Sequence, residues 1–184
     1  TTSIIITTNV KFDENSANKT ADTLKSDILA TLTTYNANTL TQFDGVFRYS
    51  KITGLIDATD SSILSNITTL KIRKDFTPSL DVSTKYNVYF RNSLYSPHTG
   101  HNSAAGGILE SSGFKISGDS TTVFYLDDDG EGNIRRYSFS GATRVYANTT
   151  QGTIDYASGV ITINSLSVLS VENIRGKASS KIEL

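Results

Sequence analysis

Apolar and polar side chains alternate along the start of the chain. Ile4, Ile6, Thr8, Val10 and Phe12 fall on one side, and Ile5, Thr7, Asn9 and Lys11 on the other. A period of two predicts a strand. Asp13-Glu14-Asn15-Ser16 punctuates it, and from about Thr20 to Tyr35 the period lengthens. Ala21, Leu24, Ile28, Leu32 and Tyr35 now share one helical face, with Lys25 and Thr33 turned away. Asp22 in the first turn complements the helix dipole, and Asn36 and Asn38 are expected to end the helix. A shorter helix is predicted where Ile52, Leu55 and Ile56 line up, with Ser50 as its N-cap. Gly54 weakens that helix by about 1 kcal/mol relative to alanine. SNITTLKIRKDF then returns to a period of two, with Leu70, Ile72 and Lys74 opposite Lys71 and Arg73. The order strand, helix, helix, strand predicts a small α/β layer.

Pro78 and the polar stretch TPSLDVST mark a boundary near residues 77 to 84, beyond which the helical period vanishes. Tyr86, Val88 and Phe90 alternate as a strand, and LYSPHTGHNSAAGG reads as a long loop. Short strands are predicted at residues 113–116, 122–126, 134–139, 144–147, 152–156 and 160–163, separated by Gly, Asn, Asp and Ser. The closing SVENIRGKASSKIEL adds a last strand candidate. The reading is an α+β protein: a small α/β subdomain over residues 1–80 and a β-rich subdomain over residues 81–184.

At 184 residues the chain buries roughly 70% of its unfolded surface, enough for a core without staples. Its formal charge of −1 and lack of a basic run deny nucleic acid or an anionic membrane an electrostatic footprint. No apolar run approaches the ~20 residues of a membrane span, and no signal peptide is visible. With no cysteine, disulfides and thiol chemistry are excluded. Methionine is absent too, even at position 1, so the chain reads as a piece of something longer.

The densest candidate chemistry is LDDDGEGNIRRYSF, residues 126–139. Counted from Asp127, a calcium loop of the EF-hand type is matched by Asp129, Glu131 and Gly132. Its strongest ligand, a Glu at position 12, is replaced by Ser138. Val123 and Tyr125 mirror Tyr137 and Phe139, so the run is expected to be a hairpin end in water, with Gly130 and Gly132 supplying positive φ. A catalytic carboxylate needs apolar surroundings to raise its pKa, and three successive aspartates predict a wet tip instead. His98 and His101 have H-x-x-H spacing, but Pro97 and Gly100 predict a loop without a third zinc ligand. No nucleophile elbow or phosphate loop occurs; SAAGGILESSG lacks the Lys-Ser/Thr ending. Tyr86, Phe90, Tyr125 and Tyr146 fit sheet packing better than a stacking platform. The residues therefore nominate no catalytic, cofactor-binding or metal site.

Two stretches carry a resemblance. TADTLKSDILATLTTYNANTL followed by GVFRYSKITGLIDATDSSILSNITTLKI is similar to the C-terminal α/β part of baseplate J-like proteins of contractile-tailed phages. QGTIDYASGVITI resembles a hairpin of the β-rich part of the larger members. With VYFRNSLYSPHTGH and VFYLDDDGEGNIRRYSF, the chain resembles the C-terminal region of the baseplate wedge proteins of T-even-type phages. The resemblance implies a virion structural role without catalysis or cofactor. It also implies a homodimer or ring joined to other wedge proteins, in the tail baseplate and, during assembly, in the host cytoplasm. It further implies a part in the dome-to-star change of the baseplate during infection. It carries no role for nucleic acid, membrane or a small-molecule substrate. A different reading of the residues is a carbohydrate- or receptor-binding module acting through the loops around residues 95–107 and 127–133. A third, a hydrolase using Asp127, Asp129 or His98, requires a pocket lined by them.

Overall fold

The computed structural model describes residues 2–42, 44–96 and 107–184. The chain divides into two compact units, Ile4–Lys71 and Ile72–Leu184, the latter taking in the first residues of the chain as well. It is a mixed α+β protein, with a few helices followed mostly by strands.

The N-terminal unit runs in the expected order: β1 (Thr2–Phe12), α1 (Ala21–Tyr35), α2 (Tyr49–Asp57) and β2 (Ile63–Phe76). α1 opens at Thr20, whose hydroxyl accepts from the Thr23 amide, one of the orphan donors of a first helical turn. Its face is the one that the period selects, with Leu24 and Ile28 buried. Ile28, Ile52 and Ile56 form the core, and Ile6, Val10, Leu32, Tyr35, Phe47 and Ile63 pack around them. β1 and β2 are neighbours in one sheet, tied by the Asp13 amide to the Ser62 carbonyl and by Thr8 to Thr68 through their hydroxyls.

Two helix ends add to or differ from expectation. α1 ends at Tyr35 with Asn36 as its C-cap, as predicted. The chain does not leave the helical path there: it continues through a π-helical turn, Asn36–Leu40, closed by the Thr41 amide on the Asn36 carbonyl. Ser50 does not cap α2. The cap position is Arg48, without a side-chain bond, and Ser50 sits in the first turn with its carbonyl accepting from Thr53.

The other unit is built on a seven-stranded antiparallel sheet in the order β3-β8-β7-β6-β5-β4-β9. Its strands are β3 (Thr84–Tyr89), β4 (Phe114–Ile116), β5 (Asp119–Asp128), β6 (Asn133–Ser140), β7 (Thr143–Asp155), β8 (Val160–Leu166) and β9 (Val168–Val171). Leu80, just ahead of β3, pairs with Val168 of β9, and the Asp81 amide donates to the Val168 carbonyl at 2.8 Å. The two ends of the strand order therefore meet, and the sheet curls towards closure, leaving less open edge. β10 (Ile182–Glu183) pairs with the end of β2 at Phe76 and Asp75. The core includes Phe114, Phe124, Leu126, Ile134, Ile161, Ile163, Leu166 and Ile182.

The strands predicted at 144–147 and 152–156 are one strand, β7. Between the pairs Arg136↔Asn148 and Ile134↔Gly152 the register shifts, because β7 carries more residues than β6. That bulge is what the polar NTTQ run reflects: Asn148 takes the Thr150 amide, and buried Gln151 donates to the Asn164 carbonyl. The hairpin in QGTIDYASGVITI is β7 turning into β8 at Gly159, with φ of 65°.

Candidate functional site: the acidic hairpin

In β5, alternation sends Phe124, Leu126 and Asp128 towards the core and Tyr125 and Asp127 to the opposite face. The hairpin is as predicted: Tyr125 pairs with Tyr137, Asp127 with Arg135 and Asp128 with Ile134, and Gly130 and Gly132 have φ of 81° and 103°. The wet tip is not. Asp127 and Asp128 are both 0% exposed.

Asp127 is surrounded by cations. Its Oδ1 accepts from Arg135 Nε at 3.0 Å, and its Oδ2 from Arg135 Nη2 at 3.1 Å, Arg144 Nη1 at 2.7 Å and Tyr146 Oη at 2.9 Å. Fork geometry of this kind gives the strongest class of ion pair. The guanidiniums also stack: Arg135 lies 4.2 Å from the Tyr146 ring centre and Arg144 4.6 Å from that of Tyr137. Tyr125, Tyr137 and Phe139 pack ring to ring around them.

Asp128 works on the core side. It accepts from the Leu109 amide at 2.7 Å, the Gly130 amide at 3.3 Å and Tyr156 Oη at 2.5 Å. Gly107 allows this approach, since a Cβ there would stand 2.0 Å from Asp128 Oδ2. Asp129 closes the turn, accepting from the Glu131 and Asn133 amides and from Asn133 Nδ2. Burial pushes the Asp129 carboxyl up, but these donors outweigh it and hold its pKa below the usual value. All three carboxylates are thus engaged by the protein's own donors. Among the described residues no group of three or more His, Asp or Glu is placed to hold a metal ion. His98 and His101, and most of the 95–107 loop, lie outside the described residues.

The tyrosines carry the electrostatic signature. Burial, then the bond to Asp128, pushes the Tyr156 phenol well above its ordinary value. Tyr146 is raised by burial and by its bond to Asp127, and Tyr137 by burial, against the pull of Arg144. A phenol whose folded pKa exceeds its unfolded one, about 10, contributes its full stability below that pH and loses it as pH rises further. In an alkaline titration followed at the phenolate band, Tyr137, Tyr146 and Tyr156 are expected to ionise only together with loss of β-sheet circular dichroism. Ionisation of these three near pH 10 in an intact fold would contradict this.

Sequence reasoning missed Arg135, Arg144, Tyr146 and Tyr156 as a network, and placed no docking residue in the N-terminal unit. There Ile67 of β2 is 74% exposed and Leu29 of α1 66%, with Val46 and Leu64 also exposed. Elsewhere an open groove of about 410 Å³ runs along Ile174, Arg175, Lys177 and Glu183, where Glu183 is shared by Arg73 and Arg175. Its lining includes the Arg175–Glu183 ion pair and neither Asp127 nor Asp129.

Residues 2–75 match the family described as baseplate structural protein gp6, C-terminal domain III. This match supports a phage baseplate protein with a structural role, located in the tail baseplate of the virion and in contact with other baseplate proteins. A structural baseplate family also suggests a non-enzyme. No curated protein matches the chain.

Proposed function

We propose that this chain is part of a baseplate wedge subunit of the baseplate J-like kind. It self-associates and binds neighbouring wedge proteins, so that its copies join into the inner ring around the tail hub. The ring assembles in the host cytoplasm, and the subunit stays in it while the baseplate changes shape during infection. The observation that carries this reading is the match of residues 2–75 to a baseplate structural domain. The exposed Leu29, Val46, Leu64 and Ile67 of that same stretch favour it, as apolar side chains suited to burial between subunits. A stable interface needs on the order of 1,600 Å², and ring symmetry multiplies each contact. The carboxylates of the acidic hairpin are internal struts in this reading, with no cofactor, metal or substrate of their own.

The test is light scattering behind size exclusion over a concentration series, with calcium and with a chelator. A dimer or larger species indifferent to calcium is expected. A monomer at every concentration, changing shape or stability only with calcium, would favour a receptor-binding module instead.

A further inference from the structure

β1 is an edge strand. It pairs with β2 on one side, and among the described residues no strand pairs with its other side. Edges are normally blunted by charge, proline, a bulge or brevity. β1 carries no charge and no proline over residues 2–10, and at eleven residues it is long. Its one charge, Lys11, stands near the far end.

The sequence of this edge is close to its own mirror image. Residues 2–8 read Thr-Ser-Ile-Ile-Ile-Thr-Thr. In an antiparallel pair of two such strands centred on Ile5, Thr2 faces Thr8, Ser3 faces Thr7, Ile4 faces Ile6, and Ile5 faces its own copy. Hydroxyl meets hydroxyl and β-branched apolar meets β-branched apolar, the cross-strand pairs that favour a sheet. The inward face continues as well, because Ile6 already packs on the N-terminal core and the copy's Ile4 would stand beside it. Charge selects the direction. An antiparallel pair keeps each Lys11, Asp13 and Glu14 at opposite ends, whereas a parallel pair in register sets each against its like.

We infer that β1 is the self-association element: two copies of this chain add their β1 strands edge to edge, antiparallel about Ile5, joining two sheets into one across a two-fold axis. Such an interface is isologous and closes at the dimer. Main-chain hydrogen bonds supply much of its affinity, as in other strand additions. This inference rests on the proposed self-association and assigns it to particular residues.

The absence of cysteine makes the test clean. In the full chain, Ile5→Cys is expected to give a disulfide-linked dimer under mild oxidation, since opposed residues of an antiparallel pair have Cα atoms about 4.5–5.5 Å apart, within disulfide reach. Asn9→Cys, on the same face but four residues from the axis, is expected to stay monomeric on denaturing gels. Thr7→Lys, at an exposed position, is expected to shift the native species towards monomer while circular dichroism stays unchanged. A dimer that persists in Thr7→Lys, or crosslinking at Asn9→Cys equal to that at Ile5→Cys, overturns the assignment to β1 and leaves self-association standing. A parent chain that is monomeric throughout overturns both.

Discussion

Asp127→Asn is expected to destabilise the β-rich unit by about 3–5 kcal/mol, the range for removing one partner of a buried ion pair. The substitution keeps size and shape but deletes the charge that Arg135 and Arg144 share. Arg135 has a side-chain exposure of only 8% and cannot recover water. It keeps its bond to the Asp128 carbonyl and its stacking on Tyr146, neither of which neutralises a guanidinium. Urea unfolding read by tyrosine fluorescence measures this, because the chain has no tryptophan and most of its tyrosines lie in this unit. A loss below about 1 kcal/mol, the range of an exposed pair, would mean that the network is solvated. Replacing Asp127 and Arg135 together by apolar residues is expected to cost less than Asp127→Asn alone, because no buried charge loses its partner.

Gly152→Ala is the second large effect, expected at roughly 3 kcal/mol or more, at the upper end of overpacking costs. A Cβ at Gly152 would stand 2.0 Å from the Thr162 carbonyl oxygen and 3.0 Å from the Ile163 Cα, backbone atoms that cannot swing aside. Gly152 pairs with Ile163 and Ile134, directly after the β7 bulge, so relief requires β7 and β8 to part in the middle of the sheet. Thermal unfolding measures it. Gly54→Ala is the contrasting case, an open helical site with nothing within 4 Å of the added Cβ, where a small gain is expected.

Much of the fold was legible because period and alternation are local. The face of α1, the run of β2 and the β5–β6 hairpin follow from which side chains repeat at which spacing. What escaped was non-local. Nothing in NTTQ says whether a polar break ends a strand or bulges it, since the answer depends on β6 and β8 lying alongside. Asn36 was legible as the end of α1, but the π-helical turn that follows it was not.

The hairpin is more instructive, because half of its site was readable. The mirror of Tyr125 on Tyr137 fixes the register that sets Asp127 opposite Arg135, so a paired carboxylate was derivable from the strand pattern alone. Burial was not. Asp127 loses water because Arg144 and Tyr146 arrive from β7 on its face. Asp128 loses water because Tyr156 and residues 107–109 close over the other face. Three successive acids look wet only while their neighbours are counted along the chain.

The proposed structural place in the baseplate ring can be checked by imaging the tail baseplate of purified virions at side-chain resolution, before and after contraction. This fold is expected in symmetric copies around the hub in both states, with the N-terminal unit buried against neighbouring subunits. Density for the chain only at fibre tips, or none in the virion, would contradict it.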